Sequence, residues 1–326
     1  MKRLGLIGFN TNSGLGVVNR QIADHLPVGT WLVRDHRHLA TLPQTPHDVP
    51  TFTDPDTLLH YSDVILFAEN PLWLDLPKRA KTLSKRVVCV PMQEWFPPFD
   101  HPKWTWPKYV DLFICPTLHC YDELKDRYPC VHVPWPVDAG RFRYHQRQVC
   151  RRFVFTNGNG GWRGRKGGDV IREAKRLWPE MPLVVFSQTE SEWPPGTDYR
   201  GRASDPREMY AAGDVLLCPH SVDGIGLEIG EALACGMPVV ATEGRPWDEY
   251  LLLAGIPAIK ERRRIKREVN WYVPDPAGLM NVCKAVLGTD VSRASTEAYL
   301  WTRSHSWDKW RGTLVQTVMG DGYTTA

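Results

Sequence analysis

The residues from Asp223 to Thr242, DGIGLEIGEALACGMPVVAT, place a glycine-broken turn, a short helix and a new strand one after another. Gly226 frees the backbone between Ile225 and Leu227 to lie close to a bound group. Glu228 to Ala234 carry the mixture of small and apolar side chains expected of a buried helix, whose first N–H groups attract anions. Cys235-Gly236-Met237-Pro238 stops that helix, because glycine takes the left-handed cap and proline cannot continue the turn. Val239-Val240-Ala241 then reads as a buried parallel strand, so the unit belongs to an α/β sheet. Asp223 precedes the glycine turn and Glu231 stands eight positions on, where both can face one cleft. Paired acids beside a helix start suit hydroxyl recognition. Glu228 and Glu231 equally suit a solvated first turn, favoured there by the helix dipole.

A chain of 326 residues holds two domains of ordinary size. Its longest apolar runs, such as Val64 to Ala68 and Leu251 to Ala254, fall far short of the roughly 20 residues that span a bilayer. Met1-Lys2-Arg3 leads into Leu4 to Gly8, a strand pattern rather than the apolar core of a leader. The eight cysteines lie scattered in apolar contexts with no CxxC, which points to buried free thiols in a reducing, cytoplasmic setting. No His/Cys cluster with ligand spacing is present, so no metal is expected. The net charge of +3 is unevenly spread. Arg141 to Arg176 hold 11 basic residues against 2 acids, and Lys260 to Glu268 hold 6 against 2. Such asymmetry points to a phosphate, a polyanion or an anionic surface as partner, with a solvated helix at Arg172 to Arg176 accounting for part of it.

In chain order, Leu4 to Phe9 reads as a strand. It runs through Asn10 to Gly16 into a helix from Val17 to about His25, a geometry that turns Gly14 and Gly16 toward a phosphate or serves as a tight packing turn. Strands at Thr30 to Val33, Val64 to Ala68, Arg86 to Val90 and Asp111 to Cys115 imply a parallel, doubly wound sheet, with a loop at Pro43 to Pro50. Gln93 and Glu94 follow the strand Arg86 to Val90, where Glu94 suits an acceptor base or a hydroxyl ligand. A helix is expected from Cys120 to Tyr128. The basic linker after Arg141 sets a domain boundary near 145.

The second half opens on a strand at Phe153 to Thr156, then Asn157-Gly158-Asn159-Gly160-Gly161-Trp162-Arg163-Gly164-Arg165-Lys166-Gly167-Gly168. Glycines there let the backbone wrap an anion, and Arg163 and Lys166 supply cations for a diphosphate. A strand at Leu183 to Ser187, a helix capped by Ser204 or Asp205, and a strand before Pro219-His220 lead to the acidic stretch. A basic run around Arg262 and the segment Asn270 to Leu279 come after it, and His305-Ser306-Trp307-Asp308 opens a last helix.

Taken together, Lys166-Gly167, Pro136-Val137-Asp138 with Phe142, the Asp214-Val215 to Pro219 segment and above all Asp223 to Ala241 resemble glycosyltransferase family 4, the retaining enzymes of GT-B fold. The likeness extends over nearly the whole chain and is densest from 153 to 280. It departs at Pro136, where the family has a glycine, and at three site positions: Gln93-Glu94 stands where the family has a histidine, Gly161 where it has an arginine, and Asp223 where it has glutamate. The resemblance implies two Rossmann-like doubly wound domains facing across a cleft. Residues 1–145 would form the acceptor side and 146–300 the nucleotide-sugar side, with 301–326 crossing back to the first domain.

It further implies transfer of a sugar from a nucleotide diphosphate donor, the co-substrate, without a cofactor. Asp223 would hold sugar hydroxyls and Glu231 the ribose, Lys166 and Arg163 the diphosphate, and Gly14, Gly16, Gly226 and Leu227 would approach the donor. Gln93 and Glu94 would face the acceptor. A hydroxymethylated base in DNA, as in phage-type modification, would account for the basic stretches; so would a lipid or surface polysaccharide. A reading of another class, a non-catalytic nucleotide-sugar or nucleic-acid binding module, follows from the three site departures.

Overall fold

A run of apolar residues five long is stable as a strand only when both its faces are covered. The computed structural model describes residues 2–33, 47–92, 104–158, 164–264 and 268–320. The chain divides into two compact units, Met1–Pro136 with Trp307–Ala326, and Val137–Ser306. The first is built from β1 (Leu4–Gly8), α1 (Gly14–His25), β2 (Val28–Val33), β3 (Thr51–Phe52), α2 (Pro55–Tyr61), β4 (Val64–Ala68), α3 (Leu76–Thr82), β5 (Arg86–Val90), β6 (Leu112–Cys115), α4 (Leu118–Leu124) and β7 (Cys130–His132). Its seven strands are parallel, in the order β3-β2-β1-β4-β5-β6-β7. Every residue of β1 and β4 is buried, with Ile7, Phe67, Trp106 and Phe113 at the centre of one core.

The second unit follows with β8 (Phe153–Gly158), α5 (Gly168–Leu177), β9 (Leu183–Ser187), β10 (Asp198–Gly201), α6 (Pro206–Ala211), β11 (Val215–Cys218), α7 (Leu227–Ala234), β12 (Val239–Thr242), β13 (Ala254–Ile256), β14 (Ala258–Arg264), β15 (Glu268–Pro274), α8 (Pro276–Val286) and α9 (Ser292–Ser304). Six of its strands form a parallel sheet in the order β10-β9-β8-β11-β12-β13. Ile229 and Leu233 of α7 cover one face, against Val154, Leu216 and Val239. Ile171 of α5 and Leu279 of α8 cover the other, against Phe153, Phe155 and Leu217. The final helix, α10 (Trp307–Met319), belongs to the first unit, where Arg86 donates to the carbonyls of Val318 and Thr317 and Trp307 stacks on His25.

Both units are therefore Rossmann-like doubly wound domains, as the apolar runs and turns imply. All eight cysteines are free, and seven of them are buried. Two segments depart from expectation. The Asn270 to Leu279 segment, which resembles the family's late loop and helix start, instead continues strand β15, paired antiparallel with β14 across the basic run around Arg262, before α8 begins at Pro276. Val269 and Trp271 alternate with Glu268 and Asn270, which is strand periodicity, and the density of charge in β14 hides its extended backbone. The helix expected from Cys120 to Tyr128 instead starts at Leu118, because the Thr117 hydroxyl caps it through Cys120 N–H, and ends at Leu124. Part of the loop read at Pro43 to Pro50 lies outside the described residues.

In each sheet the strand order reverses beside the first strand, between β1 and β4 and between β8 and β11. Loops leaving such a reversal point diverge and open a crevice at the carboxyl ends of the strands. In the second unit the two loops are locked together. Ser221 N–H donates to Arg165 O at 2.8 Å, and Gly167, at φ 74°, lies so close to the second loop that a Cβ there would stand 1.9 Å from Pro219 O. Gly167→Ala is accordingly expected to cost more than a left-handed alanine alone. Gly288→Ala, at φ 78° with open space around it, should lose about 1–2 kcal/mol, and Gly167→Ala a further ~1–3 kcal/mol from the clash. Urea unfolding midpoints of the two variants check this; equal losses would show that the two loops are not tightly joined.

Candidate functional site

Two helices begin at this reversal point of the second sheet, and neither carries a side-chain cap. α5 starts after Gly167 and α7 after Gly226 (φ 69°), both glycines in the left-handed region with no side chain to accept from the first N–H groups. Ser13, Asp54, Thr117, Asp205 and Asp275 provide that acceptor for α1, α2, α4, α6 and α8. Uncapped starts at the carboxyl end of a parallel sheet present bare N–H groups and the positive end of the helix dipole to an anion.

Beside them lies an ionic cluster. The Lys166 ammonium donates to Asp223 Oδ2 at 3.1 Å and to Glu228 Oε1, and the three side chains are only 15%, 9% and 14% exposed. His220, fully buried, has Nδ1 2.9 Å from Asp223 Oδ2 and Nε2 3.2 Å from Glu228 Oε1, the latter without hydrogen-bond geometry. Arg165 Nη1 lies 3.5 Å from Asp223 Oδ1 and donates to Val222 O, and Gly224 N–H donates to Asp223 Oδ1 at 2.9 Å.

Burial opposes charge at every member, and the neighbours decide the outcome. At Asp223 burial is overcome by Lys166, by the hydrogen bond with His220 and by Arg165, which hold the carboxyl well below the usual range. At Glu228 burial is likewise outweighed by Lys166 and His220, and its value is lowered. Burial pulls on Lys166 too, but Asp223 and Glu228 raise it above an ordinary lysine. Burial, seconded by Lys166, lowers His220, so the ring is neutral near pH 7. A neutral ring donating from Nδ1 to Asp223 leaves Nε2 without a hydrogen bond, as observed.

Glu231, three residues after Glu228 on α7, behaves in the opposite way. Burial pushes its carboxyl up to about 7 despite the bond from Tyr210 Oη to Oε2 at 2.7 Å, and Glu228 adds to the rise. Tyr210 occupies one carboxylate oxygen and leaves Oε1 for a ligand.

The structure thus joins Lys166 directly to Asp223 and places Gly226, Leu227 and Glu231 on the same helix start. Gly14 and Gly16 belong to the other unit, at the start of α1. Gly16 N–H there donates to Ser13 Oγ, and a Cβ on Gly16 would stand 1.9 Å from Thr11 O, so close packing of the turn requires that glycine. Gln93, Glu94 and Arg163 lie outside the described residues. The arginine that the described residues bring to Asp223 is Arg165. Sequence reasoning missed His220; its signal was a histidine three positions before an acid, in a loop rather than a helix. Glu228 is neither fully solvated nor idle.

Donor atoms of His220, Asp223 and Glu228 lie within 4.8 Å of one another, a set that could hold a divalent cation. The Lys166 ammonium already bonds both carboxylates, so a metal would have to displace it.

A family model described as Glycosyl transferases group 1 matches residues 179–262, which include α7 with Asp223 and Glu231. No curated protein sequence matches the chain. Among solved structures, Anabaena HepE, in complex with UDP and glucose, is similar at TM-score 0.72 and 12% identity, over 98% of this chain and 100% of that one. Sucrose-phosphate synthase from Thermosynechococcus elongatus is similar at TM-score 0.68 and 13% identity, over 97% and 98%. The GtfA/B complex gives TM-score 0.56 and 13% identity over 78% of this chain, which spans 57% of the length of that one. The two domains of this chain have the fold of GT-B glycosyltransferases, and its second domain carries the group 1 glycosyltransferase match.

Proposed function

We propose that the protein is a retaining, family 4 type glycosyltransferase that moves a sugar from a nucleotide diphosphate donor to a hydroxyl acceptor. The observation that carries the reading is Lys166, held between Asp223 and Glu228 beside two uncapped helix starts. An ammonium has three N–H donors; the two carboxylates take two and the third is left for a phosphate oxygen. The bare N–H groups of α5 and α7 add fixed positive dipoles where charge develops on the leaving diphosphate, and Arg163 is proposed as a further cation there.

Asp223 would accept from sugar hydroxyls, with His220 and Gly224 fixing its orientation. Glu231 would accept from the ribose diol through Oε1. In the reaction the anomeric carbon loses its bond to the diphosphate oxygen and gains one to the acceptor oxygen on the same face. The hydroxyl proton leaves with the diphosphate. Gln93 and Glu94 are proposed on the acceptor side, and Gly14 and Gly16 near the donor. No helix among the described residues is long and apolar enough to cross a membrane. A cytoplasmic location and a reaction that proceeds without a metal are part of the proposal, as is an acceptor in DNA such as a hydroxymethylated base.

Two outcomes follow for a donor panel screened by thermal shift and then assayed for release of nucleotide diphosphate. Lys166→Ala and Glu231→Ala should each lower turnover of the best donor by about 10²-fold or more, with circular dichroism confirming that the fold persists. Unchanged turnover in both would remove the assignment. The second outcome is a pH dependence. A carboxylate accepts from a diol and a carboxylic acid does so poorly, so donor affinity should fall as pH drops through about 7, the value to which burial raises Glu231. Calorimetry should show Kd rising about tenfold per pH unit below that point, and Glu231→Gln should flatten the profile. A profile identical in the variant would contradict the role of Glu231.

A further inference from the structure

We infer that the β14–β15 ribbon is a docking arm for the phosphate backbone of duplex DNA, the polymer that presents the acceptor. The role of acceptor rests on the transferase reading above; the docking stands on the ribbon itself. In its register Lys260 faces Tyr272, Arg262 faces Asn270 and Arg264 faces Glu268. Side chains two apart on a strand share a face, so Lys260, Arg262 and Arg264 form one cationic row. At ~3.4 Å rise per residue the row places a charge every ~6.8 Å, twice the ~3.4 Å axial spacing of phosphates along one strand of B-DNA.

All three side chains are exposed. Lys260 and Arg264 have no side-chain partner among the described residues, and Arg262 bonds to Asn270 at 3.0 Å. Of the ribbon's acids, Glu261 pairs with Arg263 on the other face at 2.8 Å, while Glu268 stands across from Arg264 without bonding to it. Like charges along one face destabilise a ribbon. Protecting an exposed edge from aggregation needs only scattered charge, whereas this row has a single sign.

The ribbon is also rooted at the site. Tyr272 N–H donates to the carbonyl of Ser221, the residue between His220 and Val222 in the loop that carries Asp223, at 2.9 Å. The Tyr272 ring is buried edge-on against Trp247, 5.5 Å between centroids. A polyanion on the cationic row would therefore lie next to the proposed sugar-binding loop. A membrane fits the row poorly: the ribbon's exposed large apolar side chain, Ile259, is on the opposite face, so no apolar wedge accompanies the cations. Duplex DNA fits it well, since the major groove of B-DNA admits a two-stranded ribbon while the deep, narrow groove of A-form RNA does not.

The test is fluorescence anisotropy of a labelled DNA duplex titrated with the full chain at several salt concentrations, comparing wild type with K260Q/R262Q/R264Q. Wild type should bind with a steep salt dependence. The triple variant should bind at least tenfold more weakly at low salt, and its log–log salt slope should be shallower by about 2.7, three phosphate contacts' worth. Should the triple variant lose its thermal transition, R262Q/R264Q carries the same test with a slope change of about 1.8. Equal affinity and slope in wild type and variant would overturn the docking proposal. So would absence of duplex binding by wild type, or binding to phosphatidylserine vesicles in place of duplex. Donor thermal shifts, measured in parallel and expected to be the same in both proteins, separate this result from the transferase reading: DNA docking lost in the variant with no donor shift in either would sink that reading and keep the arm.

Discussion

Charge in a protein interior is tolerated only in company, and Lys166 is where that constraint is met in this chain. Each ion taken out of water costs several kcal/mol unless partners answer it, and removal of one member of such a buried set costs about 3–5 kcal/mol. Lys166 is answered by Asp223 and Glu228, Asp223 in turn by His220, Arg165 and the N–H of Gly224. These groups come from the loop after β8, the loop after β11 and the first turn of α7. The cluster is therefore also the clasp that fixes two loops and a helix start in one arrangement before any ligand arrives, and the contact of Gly167 with Pro219 O sets its spacing.

That clasp has electrical consequences for its surroundings. With Asp223 and Glu228 held ionised by Lys166, the acidic charge of the site is largely neutralised, and the bare helix starts remain as positive features for an incoming anion. Glu231 lies beyond the reach of that compensation. It feels burial and the charge of Glu228, and so it alone among these acids titrates near neutrality. With two acids locked in the ionised form and a third poised at about 7, only the third changes its hydrogen-bonding character within the physiological range.

Much of this was legible in the residues. Continuous apolar runs such as Val64 to Ala68 and Leu183 to Ser187 gave their strands with the observed bounds, because a strand covered on both faces has few other compositions open to it. That Lys166 and Asp223 belong to one site was foreshadowed by a glycine-rich cationic loop and an acidic glycine turn, which follow β8 and β11, strands that lie side by side in the sheet. His220 was not, because nothing in one-dimensional spacing distinguishes a buried histidine that orients a carboxylate from a core histidine. Glu228 was left open for a related reason: a first-turn acid looks the same in sequence whether it meets water or an ammonium from another loop. Strand β14 was hidden by its own charge, since a strand with six exposed positions after Ala258 carries no apolar alternation to read.

The most direct measurement of the central claim is a crystal structure of the full chain soaked with the nucleotide diphosphate sugar that gives the largest thermal shift. The account predicts diphosphate density within hydrogen-bond distance of Lys166 Nζ and of the first N–H groups of α5 and α7, with the ribose on Glu231 and the sugar on Asp223. Diphosphate bound away from Lys166, with the Lys166–Asp223–Glu228 cluster untouched by ligand, would contradict it.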